Sequence, residues 1–334
     1  MPKEISHIYF AEEIKKELKS EIQEILNQNL QIYYYGSTAP DLFYYYLPLK
    51  KQWNELGKIP WGLYIHDDKN NLNPIYELLE WEKNNLFPHL KNKIFSFVAG
   101  YLTHVAADTI FHPYIYSLTG HYYHSDPELQ KKYQRNHRIF ETLMDLFILE
   151  NIYKTTIRKF SLLEKITISK ENREILFLYG KSLKDTFFPE INDQSMGKFT
   201  ELCYNYHIKL VYLFQKELLI KILSLFKNLH SEIENHLCLF YWNHLKKYNI
   251  HFYQFEPVPH PITEETIEGN FFEFTEKIKK RGIFFLESAY EYIINQKWDK
   301  SFLKEKIPPY SLNTGLIQIS SENMQYFKLH PAFT

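Results

Sequence analysis

Residues 100–116 read GYLTHVAADTIFHPYIY, which sets His104, Asp108 and His112 four residues apart inside an otherwise apolar run. On an α-helix, positions i, i+4 and i+8 share one face, so three metal-binding side chains point the same way. Taken alone, His104 and Asp108 could equally form a satisfied polar seam in a buried helix, together with Thr103. A second pair shifts the balance towards metal. His137 and Glu141 repeat the four-residue spacing, and the helical pattern continues through Leu143, Met144, Phe147 and Ile148. Facing helices that turn His and carboxylate inward are a recurrent way for an all-helical scaffold to hold several metal ions. The donors must be nitrogen and oxygen, because Cys203 and Cys238 lie far from these motifs.

The rest of the chain reads as the scaffold for those two helices. An amphipathic helix is expected over residues 11–28, with Ile14, Leu18, Ile22, Ile25 and Leu26 on its apolar side. Residues 36–48 (GSTAPDLFYYYLP) and 57–74 read as irregular, the second containing His66-Asp67-Asp68. A helix over residues 75–86 precedes the metal helix, expected over residues 90–112 and ended by Pro113. A polar connection at 117–134 leads to the helix carrying His137. Further helices are expected near 206–226, 231–248 and 264–296, the last pair following a Pro-rich break at 255–261, with an irregular tail after Lys306. No strand series and no internal repeat is evident, so the fold class is all-α: a multi-helix bundle with a helical C-terminal extension. The metal-binding core is placed at residues 1–150, and residues 151–334 form an extension packed on it as one continuous domain.

Length and charge narrow the function. A chain of 334 residues can bury a large core. A net charge of -1 with no basic arm gives no electrostatic argument for bulk nucleic-acid binding. The N-terminus carries charge from Lys3 onward without an apolar stretch of the signal-peptide kind, and no run approaches the ~18 apolar residues of a membrane span. The expectation is a cytoplasmic protein without a transmembrane segment, of open oligomeric state.

Upstream, His7 stands in SHIYFA, Asp41 in GSTAPDLF and His66 in YIHDD. With GYLTHVAADTIFHP and HRIFETLMD following in order, residues 1–150 resemble the zinc-dependent phospholipase C family, whose all-helical scaffold also serves secreted single-strand nucleases. The resemblance implies two zinc ions and a third position. His66, His104 and Asp108 would hold one ion, with Asp108 bridging to another. His137 and Glu141 would hold the second, completed by His112 or, from the connecting segment, by His121 or His124; alignment on the helix favours His112. His7 matches a ligand of the third position, which secreted members complete with a processed N-terminal Trp that this chain lacks. Asp41 matches an aspartate close to the metals that is proposed as general base.

Such a site would act on a phospholipid or another phosphodiester, a water bridged between two ions losing its proton and attacking phosphorus in line. Asp41 would orient or deprotonate that water. A nuclease-like phosphoesterase and a non-catalytic, metal-stabilised scaffold are the alternative readings. Asp67, Asp68 and Asp145 are candidate acceptors for ligand imidazoles, Arg135 and Arg138 candidate phosphate contacts, and His207, His236 and His244 are read as packing or solvent-facing. The C-terminal half, helical in pattern, leaves a lid and a dimer surface both open. It does not suit the C-terminal β-sandwich of the toxin members.

Overall fold

The computed structural model describes residues 3–47, 53–225 and 236–333, apart from the side chains of Asn54, Asn243 and His244. The helices are α1 (Glu4–Glu17), α2 (Ser20–Gln28), α3 (Leu30–Gly36), α4 (Asn54–Lys58), α5 (Trp61–Asp67), α6 (Asn73–Lys83), α7 (Lys93–Thr119), α8 (Pro127–Phe147), α9 (Leu162–Ile166), α10 (Glu174–Phe187), α11 (Asp193–Phe214), α12 (Glu217–Leu225), α13 (Phe271–Ile294) and α14 (Lys300–Lys306). The fold is all-α apart from one small antiparallel hairpin, β1 (Phe255–Pro259) with β2 (Thr266–Gly269), which pairs Val258 with Ile267.

α7 is the axis of the molecule. It is apolar and long enough to cross a bilayer, yet 94% of its most apolar window is buried by other helices, as expected of a core helix. α1, α3, α6, α8 and α13 pack around it. The α3 crossing is close because both helices carry glycine there: a Cβ on Gly100 would sit 2.0 Å from the Tyr33 carbonyl oxygen, and one on Gly36 2.3 Å from that of Phe97. This contact brings the first turn after α3 against the ligand face of α7.

Several element boundaries differ from the sequence expectation. The helix expected at 11–28 starts at Glu4 and breaks at Leu18, whose extended backbone (ψ 161°) separates α1 from α2. Residues 57–74 contain α5, and 36–48 contain a 3-10 turn at Ala39–Tyr45 that opens with Pro40. α7 runs through Pro113 to Thr119. Proline there removes one N–H and frees the Thr109 carbonyl; a loop at Gly315 approaches that oxygen so closely that a Cβ would lie 2.3 Å from it. The Pro-rich break forms a strand, its prolines in a two-stranded ribbon that has no central strand to disrupt. Part of the 231–248 helix lies outside the described residues, and its end, Asn243–Tyr248, is 3-10.

Candidate metal centre

Five elements bring the eight candidate residues together. α1 supplies His7, the Ala39–Tyr45 turn Asp41, α5 His66, α7 His104, Asp108 and His112, and α8 His137 and Glu141. All eight are between 0 and 4% exposed. Their ligand atoms fall into three groups, each within 4.8 Å: His7, His104 and Asp108; Asp41, His66 and His104; His112, His137 and Glu141. Asp108 joins them. Its Oδ2 lies 2.9 Å from His104 Nε2, 3.8 Å from His66 Nε2 and 3.6 Å from His112 Nδ1, and its Oδ1 is 3.6 Å from His7 Nε2. Asp41 Oδ1 is 3.1 Å from His66 Nε2, and Glu141 Oε1 is 2.9 Å from His137 Nε2.

Three of the imidazoles are held in the same way. His66 Nδ1 lies 2.8 Å from the Gly62 carbonyl, His104 Nδ1 2.9 Å from that of Ser37 and His112 Nδ1 2.8 Å from that of Leu312. A carbonyl only accepts, so each Nδ1 carries the proton and each Nε2 is left as a lone-pair donor aimed into the cluster. Those three Nε2 atoms, both His7 nitrogens, Asp41 Oδ1 and both Asp108 oxygens are buried without a hydrogen-bond partner from the protein. Orphaned polar atoms at this density are costly. Neutral imidazoles and carboxylates, buried and pointing at one another, fit divalent zinc in donor type, and the cation would offset the charge of three buried carboxylates.

The electrostatics agree with that fit. Burial, together with the neighbouring His104, pushes the His7 imidazole down to about 3, and burial holds His137 down to about 4. Burial alone would raise Asp41 and Asp108, but the adjacent histidines outweigh it and keep both carboxyls below their ordinary range. His7, His137 and the two carboxyls thus favour the deprotonated form a metal needs, whereas at His104 the pull of Asp108 and Asp41 outweighs burial and holds the imidazole up.

The three expected carboxylate acceptors do other work. Asp67 takes hydrogen bonds from the Ser311, Ser320 and Ser321 side chains and the Ser321 N–H, so it holds a C-terminal loop. Asp68 accepts from the Asn70 N–H in a turn. Asp145, one helical turn beyond Glu141, accepts from Ile5 N–H (3.1 Å), Ser6 N–H (2.8 Å) and the Ser6 hydroxyl. It caps α1, which has no side-chain cap of its own, and so places His7.

Asp145 also belongs to a buried network that the sequence did not reveal. Tyr241 OH is 2.7 Å from Glu4 Oε2 and 3.0 Å from Asp145 Oδ2 but has one proton to give, so one carboxyl must carry another. Burial pushes Asp145 up to about 7, whereas His207 and Tyr45 hold Glu4 ionised against the effect of its own burial. Of the two carboxyls, Asp145 is the one held towards its protonated form. His207 is therefore a buried partner of Glu4 (3.3 Å), stacked on Tyr45, while His236 is exposed and the His244 side chain lies outside the described residues.

His121 and His124 sit in the loop before α8, where their Nδ1 atoms accept from the Tyr123 and Asp126 N–H groups; neither joins the three groups. Arg138 reaches the Tyr122 hydroxyl and Arg135 that of Tyr248. The half-buried Tyr44 and Tyr123, whose hydroxyls are 3.0 Å apart, form an edge of the cluster, with the Tyr44 ring 5.5 Å from that of His66. Among models of known families, the one described as zinc dependent phospholipase C matches residues 6–188, more than half of the chain. Comparison with curated proteins and with solved structures gives no match.

Proposed function

Because the chain belongs to the zinc-dependent phospholipase C family, we propose that it is a zinc metallohydrolase that cleaves the phosphodiester of a phospholipid. The observation that carries this reading is the set of three buried ligand groups joined by Asp108. In it, His66, His104 and Asp41 would hold one ion, His112, His137 and Glu141 a second, and His7 with Asp108 a third, His104 having one lone pair to give and Asp108 a second oxygen turned towards His66 and His104. Zinc bound there would supply Lewis acidity towards the phosphoryl oxygens and a water acidified to near neutral pH.

The chain's own groups divide the remaining tasks. The Gly62, Ser37 and Leu312 carbonyls fix the tautomers, so the imidazoles need no reorganisation on loading. Asp41, kept ionised by His104 and His66, is placed both to ligate and to accept a proton. Burial raises the Tyr44 and Tyr123 phenols, which therefore stay protonated and can donate to a phosphoryl oxygen at the edge of the cluster. With every ligand at most 4% exposed, a phosphodiester reaches them only if the cover over the cluster opens.

The decisive comparison is turnover of phosphatidylcholine vesicles against turnover of single-stranded DNA by the zinc-loaded chain. Lipid hydrolysis that Asp41→Asn lowers by roughly 100-fold or more, with zinc still bound, supports the reading. The same burial favours a second reading, a metal-stabilised scaffold without catalysis. That reading requires bound zinc and no turnover of either substrate.

A further inference from the structure

Among the described residues beyond the family match, the segment around Leu312 hydrogen-bonds two of the candidate ligand residues. Residues 309–324 form a strap, pinned by a Tyr310–Ile317 bridge, that crosses the ends of α5 and α7. Leu312 is its pivot: its N–H donates to the His66 carbonyl at 2.6 Å, and its carbonyl accepts from His112 Nδ1 at 2.8 Å. One residue further, Asn313 Oδ1 takes the Tyr116 hydroxyl at 2.9 Å. Four contacts with the Asp67 carboxylate, next to His66, anchor the strap from α5. Gly315 anchors it from α7, in left-handed backbone (φ +68°) against the Thr109 carbonyl that Pro113 leaves free. Arg281 of α13 closes the arrangement, donating to Thr109 Oγ1 at 2.7 Å with its guanidinium 5.0 Å from the Tyr310 ring.

We propose that this strap is a positioning device for the metal centre, in which the Leu312 carbonyl sets the tautomer and aim of His112 and so the affinity of the His112–His137–Glu141 group for its zinc. His66 and His104 donate the equivalent hydrogen bond to the Gly62 and Ser37 carbonyls, both within the family-matched residues 6–188. His112 alone of the three depends on a residue 200 positions away. Loss of the strap leaves its imidazole free to turn and to exchange tautomers, an effect confined to one of the three groups. Outer hydrogen bonds to ligand imidazoles typically change metal affinity 10–100-fold. The inference rests on the metal reading proposed above, except for the tautomer itself, which is a property of the metal-free chain.

Two strap variants test it without touching a ligand. Gly315→Val must displace the strap, because its Cβ would overlap the Thr109 oxygen and its backbone favours glycine; Asp67→Asn weakens the other anchor more gently. Nitrogen-15 spectra of histidine-labelled, zinc-free chain should show His112 as the Nδ1–H tautomer in the parent and as a mixture in Gly315→Val. Zinc retained per chain against a graded chelator should then show one class of ion loosened roughly 10–100-fold in both variants, the other ions unchanged. In a His112→Ala background the strap substitutions should add no further loss. A His112 tautomer unaffected by Gly315→Val overturns the proposal, as does loosening of all ions alike or equal further loss in the His112→Ala background. A parent that binds no zinc but shows the tautomer change removes the metal reading and leaves the positioning of His112 standing.

Discussion

Asp108 is the residue on which the others converge, four imidazoles lying within 4 Å of its two oxygens. Replacing it by Asn keeps the shape and removes the charge. The expected result is loss of more than one zinc per chain and a fall in turnover of about 100-fold or more, read by metal analysis and by lipid assay on the same preparation. The histidines make a separate prediction about pH. An unfolded histidine takes its proton near 6.5, whereas burial holds folded His137 down to about 4 and His7 to about 3. In the zinc-free chain the unfolded state therefore binds more protons as pH falls below about 6.5, so their stabilising contribution is present above that pH and lost below it. His104, held up by Asp108 and Asp41, has the opposite sign and acts above 6.5. Asp145, raised to about 7 by burial, takes a proton in the folded chain over the same window and offsets one histidine. Melting the chelated chain from pH 6.5 to 5 should show the smaller net decline that remains, and His137→Gln should flatten it; an unchanged slope would contradict the assignment. The i, i+4 spacing made His104, Asp108, His137 and Glu141 readable from sequence, and the order of short motifs added His7, Asp41 and His66. The carbonyls that orient the imidazoles were unreadable, because any residue can supply one.

Helices and turns set these atoms where they are, and the predictions at this scale concern caps and crossings. Asp145 reaches from α8 to satisfy two N–H groups at the start of α1. Asp145→Ala should cost about 2–3 kcal/mol, the scale of a lost cap plus buried groups left unpaired, measurable by denaturant unfolding. It should also loosen the ion held by His7 more than the one held by His137, since His7 rides on the first turns of α1. Asp145→Asn keeps one acceptor oxygen, enough for the Ser6 N–H but not for that of Ile5 as well, and should cost about half as much as the alanine variant; a loss as large as that of the alanine variant would mean that the Ser6 cap contributes little. The long helices were legible from apolar periodicity, but the short α5 that carries His66, expected as irregular chain, and the helix ends were not. The passage of α7 through Pro113 is matched by a strap some 200 residues away, at Gly315. Asp67 and Asp145 were misplaced for the same reason: their positions beside ligands suggested imidazole partners, and the long-range fold gave them backbone and serine hydroxyls instead.

At the scale of the whole molecule, the metal groups lie at the junction of nearly everything that packs on α7. α1, α5, α7 and α8 all contribute ligands, and the strap ties α5 and α7 to the C-terminal half, so zinc would cross-link elements that are far apart in the chain. A ligand that binds only the folded state stabilises it by an amount that grows with free concentration, ~4 kcal/mol per site at a thousand times the dissociation constant. For a chain of this size, where each kcal/mol moves the midpoint by roughly 2 °C or somewhat less, two occupied groups should raise the melting temperature by on the order of 10 °C. Scans of chelated and zinc-replete chain at several zinc concentrations would measure it. The shift should rise with free zinc and largely vanish in a chain carrying both His104→Ala and His137→Ala, which disarms all three groups. A shift that persists undiminished in the doubly substituted chain would place the stabilising zinc outside these groups. The same experiment explains why three carboxylates and five imidazoles can be sealed at the centre of an otherwise apolar bundle: the unfavourable burial is incurred in the empty chain and reversed on loading, so the metal is part of the fold as well as the site.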